Sequence, residues 1–328
     1  MGNILSGRVL GAIVVVLAAM IGSTMLAPVP LPGIQLPAEP IHIGPITLPN
    51  TFIATLLADI TLLAIAFTVG RNLSLIPSGM QNVIEAVIEA FYDLTENIAG
   101  HNAAKFFPWI MTIFLLVLVS NWWELVPGVD SIGWLETHTA PGTETVLVHY
   151  EVRSLLPGVA TIVKEPYTPS YEKYKKAYKD HVLPTNPDGN EVAVLVPFLR
   201  AAATDLNFTF ALALISMFMV QYYGIQALGL GYFNKFFNFK GGAMGFIVGI
   251  IELISEFAKV LSFGFRLFGN IFGGQVLLFV MAFLIPWLLP VPFYGLELFI
   301  GFIQAFVFAM LTLVFFAVGV ESHDGDHH

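Results

Sequence analysis

Long apolar runs alternate along this chain with short polar breaks. Residues 9–27 (VLGAIVVVLAAMIGSTMLA), 51–70 (TFIATLLADITLLAIAFTVG), 106–126 (FFPWIMTIFLLVLVSNWWELV) and Asn207–Leu230 each approach or exceed the roughly 20 residues that a helix needs to cross a bilayer. The first run follows Arg8 and lacks a clean A-x-A pattern, so a retained helix is expected rather than a cleaved signal peptide. Residues 78–99 behave differently. Gln81, Glu85, Glu89, Asp93 and Asn97 recur every four positions, while Val83, Val87, Ile88, Phe91 and Leu94 fill the other face. That spacing predicts an amphipathic helix lying on a membrane surface or on a partner. Its polar side is acidic, which favours a protein contact over anionic lipid.

The C-terminal third is longer-waved. Residues 243–285 contain no proline and predict one helix of about 43 residues, about 65 Å at a rise of about 1.5 Å per residue. The hydrocarbon core is only about 30 Å thick, so such a helix must tilt steeply or break. Pro286, Pro290 and Pro292 force a turn, and residues 293–320 return as a second long helix. The expected fold is an all-α integral membrane protein. It has about four upright or near-upright transmembrane helices, a long and strongly tilted helical hairpin in the membrane, and one amphipathic surface helix.

The polar stretches divide the chain further. Residues 1–50 hold the first apolar helix and a Pro-rich external segment that lacks Lys and Arg from 28 onwards. Residues 51–126 supply the first spans and the amphipathic helix. Residues 127–197, with their own charge mixture (YEKYKKAYKDH), read as an extramembranous insertion, 198–320 as the channel-forming spans and hairpin, and 321–328 as a polar tail. The tail, ESHDGDHH, reads as a solvated end rather than a metal site. Arg8, Arg71, Lys105, Lys235 and Lys240 fall on one side if the spans alternate. The excess of basic residues in cytoplasmic loops then places both termini in the cytoplasm and the insertion outside.

Within the long helix the polar residues line up. Glu252, Ser255, Lys259, Ser262, Arg266, Asn270 and Gly273 follow one another in steps of three and four, which is one face of an α-helix. On the returning helix, Glu297, Gly301 and Gln304 share a face by the same spacing. Ionisable groups inside a membrane mark ion sites, proton relays or water paths. Lys259 also has a structural reading, as an ion-pair partner of Glu252 or Glu256, and the Glu256–Lys259 spacing of three suits it. Arg266 has no acidic residue within a turn. It is flanked by Gly264, Gly269, Gly273 and Gly274, small residues that let another helix approach closely.

Composition agrees with the pattern. Of 328 residues, 56% are hydrophobic and 11% charged, and the mean hydropathy is +0.78, where a soluble domain is about 25% charged. Cysteine is absent, which excludes disulfides, thiolate catalysis and Cys-ligated metals. The net charge of −9 gives nucleic acid no purchase. No G-x-x-x-x-G-K-[ST] phosphate loop and no G-x-S-x-G elbow is present. A secondary transporter would carry an internal repeat with paired broken helices, and none is found. A stand-alone channel would show a selectivity filter repeated by symmetry, and none is found.

LSFGFRLFGNIFGGQ (261–275), preceded by Glu252 and Lys259, closely resembles the signature helix of subunit a of the F-type ATP synthase. RAAATDLNFTFALAL (200–214), SNWWELVPG (120–128) and FIQAFVFAMLT (302–312) resemble three further segments of that family, in the same order. Residues 1–50 and 129–196 are not covered. The resemblance implies a non-catalytic, proton-translocating subunit of the bacterial inner (plasma) membrane. It works without a cofactor beside a rotating ring of c subunits, the b subunits of the peripheral stalk and the rest of the complex. It implies that Arg266 is the essential arginine. Its charge holds a passing ring carboxylate ionised and divides two aqueous half-channels. It further implies that Glu297, Gln304, Asn270 and Gln275 line the external half-channel, with Asp205 and Asn207 at its mouth. Glu252, Ser255 and Ser262 would line the cytoplasmic one. Many family members carry a titratable residue where this chain has Gln275, so the titratable task is expected to rest on Glu297 alone.

Overall fold

The computed structural model describes residues 37–43, 46–71, 73–126, 129–136, 149–156, 159–167, 169, 176, 183–236, 242–285 and 289–320. The expected helix at 9–27, Lys240, Pro286 and the tail lie outside them. The described residues form six α-helices: α1 (Asn50–Gly70), α2 (Met80–Ala99), α3 (Ala103–Glu124), α4 (Leu206–Leu228), α5 (Gly242–Leu284) and α6 (Pro290–Val320). Among the described residues five helical stretches are long and apolar enough to cross a membrane, with α2 and α3 counted together from Met80 to Glu124. The protein is an all-α, multi-pass membrane protein, and every candidate span is helical.

Two boundaries have clear local causes. Gly79 and Gly100 flank α2 with φ of 58° and 53°, a region that side chains with a Cβ rarely enter, and they set off the amphipathic segment from its neighbours. Helix α5 runs unbroken for 43 residues, as the absence of proline predicts. Helix α6 begins at Pro290, three residues before the expected start at 293. Proline is well tolerated in a first turn, where its missing N–H would have no intrahelical partner.

The chain groups into two compact units. One comprises residues 51–124, 201–272 and 299–328. Its core is aromatic and aliphatic. Phe106 stacks edge-on to Phe316 at 5.3 Å between centroids, Tyr223 meets Phe316 at 5.0 Å, and Phe263 meets Phe308 at 4.9 Å. Phe91 anchors α2 here by packing on Phe114 at 4.1 Å and Phe306 at 5.8 Å. The amphipathic helix therefore has a partner within its own chain, while Glu89, Asp93 and Asn97 stay exposed.

The other unit comprises residues 1–50, 125–200 and 273–298. It holds the strands. β1 (Pro40–Ile43) and β2 (Ile46–Pro49) form an antiparallel hairpin in the Pro-rich segment. β3 (Gly133–Glu136), β4 (His149–Leu156), β5 (Val159–Tyr167) and β6 (Val192–Pro197) form an antiparallel sheet ordered β3-β6-β4-β5. The insertion whose structure was open at the sequence level thus folds as a sheet around the buried Val192, Ala193 and Val196. Asn50 ties hairpin and sheet together, donating to Glu39 Oε2 at 2.8 Å and to the Pro197 carbonyl at 3.2 Å.

Candidate functional site

The long helix α5 turns Phe263, Leu267 and Ile271 into the core in steps of four. Ser262, Arg266, Gly269, Asn270 and Gly273 consequently point outward and are exposed. The Arg266 guanidinium lies 5.8 Å from the Phe263 ring centroid. Among the described residues it has no hydrogen bond and no carboxylate at ion-pair distance. Ionisable groups at membrane depth line water paths or meet a counter-charge, and the described residues supply Arg266 with none.

The four glycines around it divide into two kinds. A Cβ on Gly269 or Gly273 would meet nothing within 4 Å. One on Gly264 would press on the Phe210 ring at 3.1 Å, and one on Gly274 would run into the Glu297 carboxylate. Only Gly269 and Gly273 therefore leave room for an external neighbour. Gly264 and Gly274 make room for side chains of the protein itself.

Nearer the start of α5 the charges are paired. Glu256 Oε1 accepts from Lys259 at 3.0 Å and from Lys235 at 3.1 Å, and Oε2 accepts from Gln221 at 3.1 Å. Tyr232 accepts from Lys235 and donates to Gln221, both at 2.7 Å. Of the two ion pairs considered for Lys259, the structure makes the one with Glu256. Its ammonium also lies 5.0 Å from the Phe315 ring centroid. Glu252 and Ser255 are half-buried and outside this network.

Asp205 is buried and occupied. It caps α4 by accepting from the Asn207 backbone N–H at 2.8 Å, and it accepts from the Thr51 hydroxyl at 2.9 Å. These bonds join the starts of α1 and α4, so the carboxylate has a structural task beside any at a channel mouth. Asn207 is exposed and Gln304 half-buried. Gly301, one turn from Gln304, admits Asn121, whose amide donates to its carbonyl at 3.2 Å.

In the strand-bearing unit, Gln275 and Glu297 are both 4% exposed. Glu297 lies against Gly274, and its Oε1 has no hydrogen-bond partner among the described residues. Leaving a buried carboxyl oxygen unpaired is costly, and such groups are kept where they act. Gln275 donates to Oδ2 of Asp130 over 3.5 Å. Asp130 was not singled out in the sequence. It stands in a single turn of 3₁₀ helix, Val129–Ser131, just beyond α3. The available signal was an acid six residues after Glu124, at the exit of a span. Burial pushes the Asp130 carboxyl up to about 6. The Gln275 bond and the Arg200 charge oppose the rise, and the Glu39 charge adds to it. Among the described residues no group of three His, Asp or Glu is placed to hold a metal.

A polytopic helical protein whose described residues leave an arginine unpaired on an open polar face, and one oxygen of a carboxyl unpaired and buried elsewhere on the same hairpin, has the makings of an ion-translocating membrane subunit. The sequence matches the family model described as ATP synthase A chain over residues 51–317, and the chain belongs to that family. It is 29% identical to the ATP synthase subunit a of Moorella thermoacetica, across 88% of this chain and 98% of that protein. It is 28% identical to the ATP synthase subunit a of Helicobacter pylori, across 82% of this chain and 88% of that protein.

Proposed function

We propose that this chain is the membrane stator subunit of a bacterial F-type ATP synthase, carrying protons between two aqueous half-channels past a rotating ring of c subunits. The observation that supports this best is Arg266, exposed near the open Gly269 and Gly273 with no counter-charge among the described residues. A ring carboxylate brought to that face would supply the missing charge. The arginine would hold it ionised, because an opposite charge nearby favours the charged form. Arginine does not release its proton, so it also separates the half-channels without leaking.

In this reading Glu297, Gln275, Gln304 and Asn270 serve the external half-channel, with Asp205 and Asn207 at its mouth. Glu252, Ser255 and Ser262 serve the cytoplasmic one. Residues 198–320 form the channel, and 51–126 supply the first spans. Residues 127–197 lie outside the membrane, 1–50 begin with a further helix, and the termini face the cytoplasm. The nucleotide chemistry belongs to other subunits of the complex, and the b subunits hold this one in place.

The test is Arg266→Ala in the assembled complex. ATP-driven proton pumping into inverted vesicles is expected to vanish while the subunits still copurify. Arg266→Lys is expected to fail as well, since an ammonium deprotonates when desolvated and lacks the planar fork. Normal pumping in either variant would overturn the reading.

A further inference from the structure

We propose that Asp130 is a second titratable group of the external half-channel, taking up protons from the outer side and passing them along Gln275 toward Glu297. This rests on the half-channel reading above and extends it to a residue in the insertion. Three features of the strand-bearing unit carry it. Gln275 is buried and donates to Asp130 Oδ2 over 3.5 Å, a long bond that leaves the carboxylate free to exchange its proton. Asp130 Oδ1 is shut off from solvent and has no hydrogen-bond partner among the described residues. The residue before Gln275, Gly274, touches the Glu297 carboxylate, whose Oε1 is also without a partner. Two carboxyls, each with an unpaired oxygen, thus meet α5 at the successive residues Gly274 and Gln275.

An amide cannot titrate, but its N–H and C=O can hold a water between two carboxyls. The step balances simply. The ionised Asp130 takes a proton from an outer hydronium and leaves water. It then returns that proton to a water on the Gln275 side. The charged groups that act on Asp130 are Arg200 and Glu39, of opposite sign; burial, with Glu39 on its side, outweighs the Gln275 bond and Arg200 and brings the carboxyl to about 6. A group in that range exchanges protons near neutral pH better than an ordinary aspartate does.

The experiment uses the whole complex in inverted vesicles and follows ATP synthesis. Luminal pH is stepped from below to well above the Asp130 value, while a potassium diffusion potential holds the total driving force constant. Asp130→Asn is expected to work at nearly the wild-type rate in acid, where hydronium is plentiful. It should fall about five- to tenfold behind at the alkaline end, a modest share of what a positioned proton carrier contributes. Asp130→Glu is expected to recover most of that loss. A wild-type pH profile in Asp130→Asn overturns the proposal. So does failure of both variants to assemble, which would make Asp130 a purely structural group. Glu297→Gln is run alongside. If it is slow and Asp130→Asn is normal, only the role of Asp130 falls. If both are normal, the half-channel reading falls with it.

Discussion

Glu256 and Glu297 stand in the same apolar hairpin and are handled in opposite ways. Glu256 receives two ammonium groups and an amide, all within 3.1 Å. Glu297 receives nothing from the described residues at Oε1 and is pressed against a glycine. Sequence spacing offers Glu256 a partner in Lys259 and sets Glu297 on a face with Gly301 and Gln304, but it cannot show how many donors each carboxyl meets. The surroundings separate them. A carboxylate with its charge fully matched gains little from moving a proton, because each oxygen already has a donor. One without donors has a free oxygen that can take a proton and give it up. The same contrast runs along α5 itself, from the paired Lys259 to the unpaired Arg266.

The largest expected effect falls on the unpaired acid. Glu297→Gln should reduce proton flux through the assembled complex by about tenfold or more, within the range for a lost proton-transfer group. ATP-driven quenching of a pH-sensitive dye in vesicles reads it directly. The double variant Gln275→Glu with Glu297→Gln moves the carboxyl across to α5 and keeps the same two residue types. Recovery of part of the flux is expected. It should be incomplete, because the new carboxyl faces Asp130 and like charges raise one another's proton affinity. Full activity in Glu297→Gln alone would end the distinction between the two glutamates.

A smaller effect separates the glycines. Gly274→Ala puts a methyl into the Glu297 carboxylate. Overpacking of this kind costs about 1–3 kcal/mol and should lower both the thermal stability of the solubilised complex and its flux. Gly269→Ala and Gly273→Ala add a methyl to open space. The isolated subunit should tolerate them, with up to about 1 kcal/mol gained in helix propensity. Any loss should appear only with the ring in place. Equal behaviour of Gly273→Ala and Gly274→Ala would show that the open and closed sides of α5 are not distinct.

The helices were legible because their signal is local. An unbroken apolar run gave α5 to within one residue at each end, and the steps of three and four marked its polar stripe. What the stripe could not show was the neighbours. Gly264 and Gly269 look alike in the sequence, yet one faces Phe210 and the other open space. Periodicity assigns a face, and only packing says what occupies it. Asp205 reads from the sequence as a channel-mouth residue, and what the structure shows is a carboxylate that holds α4 and Thr51. The sheet in the insertion escaped notice because only the β4–β5 hairpin is local and the other pairings are distant. β3 joins β6 across some sixty intervening positions, and a strand of four to six residues carries little pattern of its own. Asp130 was missed for a related reason. Its interest comes from Gln275, which lies 145 residues further on.

The smallest effect on transport, and the sharpest test of the comparison, belongs to Glu256. Glu256→Gln leaves Lys235 and Lys259 facing a neutral amide, with Gln221 also deprived of a charged acceptor. The Glu256 and Lys235 side chains are 11% and 13% exposed, so the lost pairing is only partly replaced by solvent. Hydrogen bonds to charged groups contribute about 1.5–3 kcal/mol each when both partners are well shielded. A total near the lower figure is expected, because Lys259 is 26% exposed and can turn to water. A drop of several degrees in the melting temperature of the complex should register it, while proton flux in the surviving complex falls less than about twofold. The two readouts should thus reverse between the glutamates: stability without flux at Glu256, flux without much stability at Glu297. If Glu256→Gln stops pumping while leaving the melting temperature unchanged, then the lysine cage holds a working proton site, and pairing is no guide to which carboxyls this protein uses.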